Sequence, residues 1–103
     1  MRKAEVYVKG ILAGFLIEES ASKYIFKYDS DYNSYPISLT MPVENKVFEF
    51  ESFPPFFDGL LPEGFQLQAL LRKRKFDSTD YFSQLLAIGE DMVGGITVKQ
   101  SLE

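Results

Sequence analysis

The sequence predicts an α+β fold: a curved antiparallel β-sheet followed by two helices and a final short strand. Three observations carry this. Up to about residue 50, apolar residues recur with period two and turn residues separate the runs. From residue 63 onward the spacing becomes helical, with start and stop signals. Between the halves stands Phe56-Phe57-Asp58-Gly59-Leu60-Leu61-Pro62-Glu63-Gly64, entered through Pro54 and Pro55. Each proline fixes φ and removes a backbone donor, so the stretch reads as a stiff corner that hands the chain from sheet to helix.

In order, Ala4, Val6 and Val8 alternate with Glu5, Tyr7 and Lys9, as in a half-buried strand, and Gly10 supplies a turn. Ile11 to Ile17 is nearly all apolar and predicts a second strand hairpinned to the first. Glu18 to Ser22 reads as the next turn. Lys23 to Asp29 alternates, with Tyr24, Phe26 and Tyr28 on one face. Asp29 to Tyr35 is a polar surface loop. Pro36 opens a pattern with Ile37, Leu39 and Met41 on one side, read as a strand that Pro42 stops. Val47 to Phe50 is a short strand with both phenylalanines on one face. About four or five strands is a usual sheet size.

Phe56, Phe57, Leu60 and Leu61 have the spacing of one helical turn. Pro62 suits the first position of a new helix, and Glu63 suits its positive end. That helix spans Glu63 to Lys75, with Leu67, Leu70, Leu71 and the Arg74 stem on one stripe. Asp77-Ser78-Thr79-Asp80 signals the next start, with Asp77 or Ser78 as N-cap. Tyr81, Leu85 and Ile88 then fall beside Phe82 and Leu86 on a core face. Gly89 closes the helix in the usual glycine manner. Gly94-Gly95 makes a turn into Ile96-Thr97-Val98, the last strand. No internal repeat, low-complexity segment or linker interrupts residues 1–103, which suits one domain.

Composition excludes several function classes. The 103 residues include no cysteine and no histidine, so thiolate chemistry, imidazole bases and the commonest metal ligands are missing. A net charge of −4 disfavours nucleic acid. The basic run Arg72-Lys73-Arg74-Lys75 suits a helix C-terminus. The start of the sequence lacks a signal-peptide core, and no apolar stretch approaches the ~20 residues of a membrane helix, so a cytoplasmic protein is expected. Gly94-Gly95 lacks the spaced glycines and lysine of a phosphate loop, and no kinase constellation can be assembled. Asp58 with Glu63, or Glu90 with Asp91, offers a carboxylate pair for acid–base work. The simpler reading has Asp58 in a turn, Glu63 at a helix start, and Glu90 and Asp91 in a solvated loop.

One helix face stands out. Leu67, Leu70 and Leu71 fall opposite Phe65, which Ala69, Arg72 and Phe76 flank at about 100° per residue. Phe65 either packs back on the corner as a hydrophobic staple or forms an aromatic–arginine anchor for a partner.

The motifs together resemble a family. Phe56 to Gly64 is similar to the F-F-x-x-L-L-P-E-G signature of the N-terminal domain of HipA-type kinase toxins. Val6 to Gly10 with Leu12-Ala13-Gly14 resembles that domain's opening hairpin. Phe26 to Asp29 and Pro36 to Pro42 resemble its next two strands, and Leu85 to Gly95 its closing segment. Two positions depart: Gly59 stands where asparagine is frequent, and Phe65 where a polar residue is expected. In HipA-type toxins a large kinase domain follows, and this sequence ends about where it would begin. The resemblance is therefore to the stand-alone HipS-type antitoxins of tripartite HipBST toxin–antitoxin systems. It implies a non-catalytic chain without cofactor or metal. Its partner would be a HipT-like serine/threonine kinase toxin, with a HipB-like helix-turn-helix DNA-binding protein in the same complex. The residues assigned to the partner are Leu60, Leu61, Pro62, Glu63, Gly64, Phe65, Ala69, Arg72 and Phe76. The alternatives are the N-terminal structural domain of a full-length HipA-type toxin, and a small carboxylate acid–base enzyme.

Overall fold

The computed structural model describes residues 2–61, 72, 79–89 and 95–101. Among them, five strands form one antiparallel sheet in the order β4-β3-β2-β1-β5. They are β1 (Arg2–Val8), β2 (Ile11–Ser20), β3 (Lys23–Tyr28), β4 (Val47–Phe50) and β5 (Ile96–Gln100). Two helices are described, α1 (Pro55–Asp58) and α2 (Tyr81–Ile88). The fold is α+β, as the change of periodicity predicts. The expected helix from Glu63 to Lys75, with its stripe of Leu67, Leu70 and Leu71, lies outside the described residues apart from Arg72.

β1 and β2 are joined by Lys9-Gly10, with φ of 51° and 82°. Positive φ at both loop residues matches the right-handed twist of the flanking strands, and glycine adopts it without a steric cost. Register shifts occur between Val6 and Tyr7 and between Glu18 and Ser20, where a bulge bends its strand.

β2 continues to Ser20, so the turn expected at Glu18–Ser22 shrinks to Ala21-Ser22. Glu18 stays in the ladder because Arg2 stands directly opposite it on β1. A charge matched across the strands need not leave the sheet.

Alternation on β3 is as expected: Tyr24, Phe26 and Tyr28 are all buried. They form the centre of the core with Ala4, Val6, Leu16, Val98, Phe57, Phe82 and Leu85. The Phe26 and Tyr28 rings meet edge to face at 4.9 Å, and Phe57 approaches Phe26 at 5.9 Å.

The strand expected over Pro36–Met41 does not form; that segment is a series of bends and turns. Ile37 and Met41 are buried, but Leu39 between them is 96% exposed. The cause is the Tyr28 hydroxyl. It accepts the Ile37 N–H at 3.0 Å and donates to the Met41 carbonyl at 2.6 Å. A Met41 N–H bond to the Ser38 carbonyl closes the turn. The backbone groups that a neighbouring strand would have satisfied are paired with one side chain instead.

α2 begins after Asp80, whose carboxylate accepts the Ser83 N–H. The cap is therefore the last residue of Asp77-Ser78-Thr79-Asp80, not Asp77 or Ser78. Phe82 and Leu85 are the buried apolar residues of the helix; Tyr81 is 38% exposed, and Leu86 and Ile88 are half-buried.

Gly89 has ordinary right-handed helical angles, φ −55° and ψ −26°. The usual left-handed glycine stop does not apply here. A Cβ on Gly89 would stand 1.9 Å from the Val98 carbonyl oxygen, while the Val98 N–H donates to the Gly89 carbonyl at 2.9 Å. Glycine is required because two backbones touch.

Candidate partner-binding surface

The corner is built from its prolines upward. Phe53 and Pro54 are buried, and Pro55 opens α1 at its first turn. Asp58 N–H bonds to the Pro54 carbonyl and Gly59 N–H to that of Pro55, both at 3.0 Å. Leu60 and Leu61 then donate to Phe57 and Asp58 at 3.0 and 3.1 Å. These last bonds span three residues, which tightens the turn. Phe57 anchors the corner in the core, and Phe56 meets its ring edge-on at 5.2 Å.

Leu60 and Leu61 are half-buried and pack against the core. They are thus partly structural, where the sequence reading gave them to a partner. Leu60 and Phe56 line an apolar cleft of about 530 Å³ with Val8, Tyr35, Ile37 and Ile96. Arg72 is helical and exposed. Pro62, Glu63, Gly64, Phe65, Ala69 and Phe76 lie outside the described residues, as do Glu90 and Asp91.

A charged cluster at the first strand was not expected from the sequence. The Arg2 guanidinium donates to both Glu18 carboxylate oxygens, at 2.7 and 2.9 Å. It also donates to Asp80 Oδ1 and Ser83 Oγ, each at 2.9 Å, and lies 4.9 Å from the Phe82 ring centroid. Tyr24 Oη donates to Glu18 at 3.0 Å. Arg2 thereby ties β1 and β2 to the capped start of α2. No local pattern signals a bond between residues 78 apart.

The cluster shifts its members in consistent directions. The Arg2 hydrogen bonds hold Glu18 below the usual carboxylate range, against partial burial and with help from Tyr24. Burial works to raise Asp80, but bonds from Arg2 and Ser83 outweigh it and hold the carboxyl low. Burial and the Glu18 carboxylate push Tyr24 up to about 12. Both carboxylates are depressed on folding. Their stabilisation is complete above the unfolded values near pH ~4 and is lost as pH falls through the lower folded values. We expect the urea midpoint to fall below about pH 4, and Arg2→Met to flatten that part of the profile. Titrating the midpoint from pH ~6 to ~2.5 for both proteins checks it.

Among the described residues, no three His, Cys, Asp or Glu side chains are grouped to hold a metal, and no helix is long and apolar enough to cross a membrane.

Comparison with known proteins gives concordant matches. Residues 4–99 match the model of the HipA N-terminal domain. An uncharacterized protein of Haemophilus influenzae is 31% identical over 100 residues, which is 97% of this chain and 93% of that protein. A solved structure described as the N-terminal domain of HipA toxin has a TM-score of 0.78 and 31% identity, covering 100% of this chain and 95% of its own. Hairpin, corner and the Gly89–Val98 junction all fall inside the matched range, and the chain belongs to the HipA N-terminal domain family.

Proposed function

We propose that this chain is a non-catalytic, antitoxin-like protein of the HipS kind. It binds a separate HipA-like serine/threonine kinase, HipT, and restrains it, in a complex that also holds a HipB-like helix-turn-helix DNA-binding protein. The observation that carries the reading is the extent of the match. The Haemophilus relative extends little beyond the shared 100 residues, so a protein of about this length carries the domain without room for a kinase.

The contact runs through the corner and the helix face after it: Leu60 to Phe65, Ala69, Arg72 and Phe76. What supports this is order. Pro54 and Pro55 fix the entry, Phe57 is locked in the core, and four successive backbone bonds hold the turn. The part of the corner fixed in the free protein, up to Leu61, loses little entropy on binding. Phe65 is the aromatic anchor of this reading: it enters a pocket of the kinase and obstructs substrate or holds the two lobes in an inactive arrangement.

The test is co-expression with the neighbouring kinase and repressor genes, followed by two measurements on Phe65→Ala. Copurification of the parent chain with the kinase is expected. The variant should lose about 2 kcal/mol or more of affinity, and with it neutralisation, at an unchanged thermal midpoint. Unchanged affinity refutes the contact, and an unfolded variant assigns Phe65 to the core. A second reading, the structural domain of a single-chain HipA-type toxin, is favoured by the likeness to the structure described as the N-terminal domain of HipA toxin. A native reading frame that continues into a kinase domain would establish it.

A further inference from the structure

We infer that the open face of the sheet is a docking surface for an acidic protein surface. The described helices lie on one face only, where Phe57, Phe82 and Leu85 meet Phe26, Val6 and Val98. Among the described residues nothing packs on the other face. A solvated sheet face ordinarily carries polar side chains. This one carries Tyr7, Phe15, Ile17 and Ile25, half-buried and on neighbouring strands, with Phe15 opposite Glu5 and Ile17 opposite Ile25.

Among the described residues, the charges around this apolar centre are four lysines and three glutamates, a small positive excess, and two of the glutamates are taken up by Lys23. Lys3, Lys27 and Lys99 share the face, since Lys3 pairs with Ile17, Lys27 with Phe15 and Lys99 with Glu5. Among the described residues none of the three has a carboxylate within ion-pair distance, whereas Arg2 and Lys23 each have two. Lys3 Nζ stands 4.4 Å from the Phe15 ring centroid, and Lys99 Nζ 5.5 Å from that of Tyr7. Of the carboxylates of the face, Glu19 and Glu49 pair with Lys23, and Glu5 accepts the Tyr7 hydroxyl at 2.9 Å. A chain of net charge −4 thus turns toward one side three cations that have no carboxylate partner among the described residues.

The complementary occupant is a protein surface with carboxylates around an aliphatic centre. Lys99 and Lys27 are three inter-strand steps apart, about 14 Å, so a single carboxylate cannot satisfy both. Complementary charge of this kind steers encounter and fixes orientation. Single-stranded nucleic acid is the rival for a sheet face of lysines and aromatics. It fits worse, because Lys3 and Lys99 already cover ring faces on which bases would stack, and the chain's negative charge repels phosphate.

The test is an NMR titration of the free, isotopically labelled chain with poly-L-glutamate and, separately, with poly(U) RNA at low salt. It names no biological partner, so it stands or falls apart from the antitoxin reading. Poly-L-glutamate should shift the amides around Lys3, Phe15, Lys27 and Lys99. The shifts should vanish near about 1 M salt, where screening acts within roughly 3 Å. The triple variant Lys3→Glu/Lys27→Glu/Lys99→Glu should bind about tenfold or more weakly. If that variant fails to fold, the corresponding glutamine variant gives the same reading. No binding, shifts confined to other faces, full-strength binding by the variant, or binding of poly(U) in place of poly-L-glutamate overturns the proposal.

Discussion

Phe57→Ala should cost about 3–5 kcal/mol of stability, the range for truncating a large buried aromatic. Its side chain is fully buried, with Phe26 on one side and Phe56 on another. Phe57 also belongs to a short helix of four residues, and a single turn has little stability of its own. Without the ring, the corner loses its hold on the sheet and the tightened bonds of Leu60 and Leu61 lose their foundation. Net stabilities of small domains run to about 5–15 kcal/mol, so the variant would lose a large share. Urea unfolding should show a much lower midpoint with an unchanged slope. A stability within about 0.5 kcal/mol of the parent's would mean that the ring is not in the core.

Gly89→Ala should be damaging for a different reason. The added methyl group would lie 1.9 Å from the Val98 carbonyl oxygen, a backbone atom in a paired strand that cannot swing aside. Overpacking usually costs about 1–3 kcal/mol, and this contact belongs at or above the top of that range. Relief requires α2 to lift or β5 to shift, and either breaks the Val98-to-Gly89 hydrogen bond. Hydrogen exchange at the Val98 amide should therefore accelerate along with the fall in stability. Gly89→Asn discriminates between causes. Asparagine is tolerated where glycine merely supplies a left-handed stop. Here it should be at least as harmful as alanine, and a stable Gly89→Asn protein would contradict the contact.

Period-two alternation located β1, β3 and β4, because a sheet with one face in the core imposes that pattern directly; β2 was legible as an apolar run and β5 from the glycines before it. Alternation misled at Pro36–Met41. Ile37 and Met41 are both buried in a folded-over loop as they would be in a strand, and only Leu39 separates the two cases. What decides the matter is the hydroxyl of Tyr28, a residue already assigned to the core by its ring. Glu18 read as the start of a turn, but its partner Arg2, sixteen residues away, keeps it in the ladder. Gly89 was located correctly for the wrong reason, since contact with Val98 has no local signature. At the candidate site, the prolines made the corner legible, but not the half-burial of Leu60 and Leu61, which depends on what the sheet presents beneath them. The open sheet face was invisible in the sequence because its members alternate with core residues on four strands.

The strand order β4-β3-β2-β1-β5 also bears on how the protein is made. Ala4 pairs with Gln100, so one side of the first strand waits for a segment 96 residues downstream to be synthesised. Four strands can emerge from the ribosome and pair in chain order, β3 with β4 across the loop of residues 29–46, while the outer edge of β1 still offers unmet N–H and C=O groups. Such an edge invites pairing with another chain. Contacts this distant in sequence also form slowly. Ribosomes that stall or terminate before residue 96 would release a chain whose sheet is nearly whole but sticky along one side.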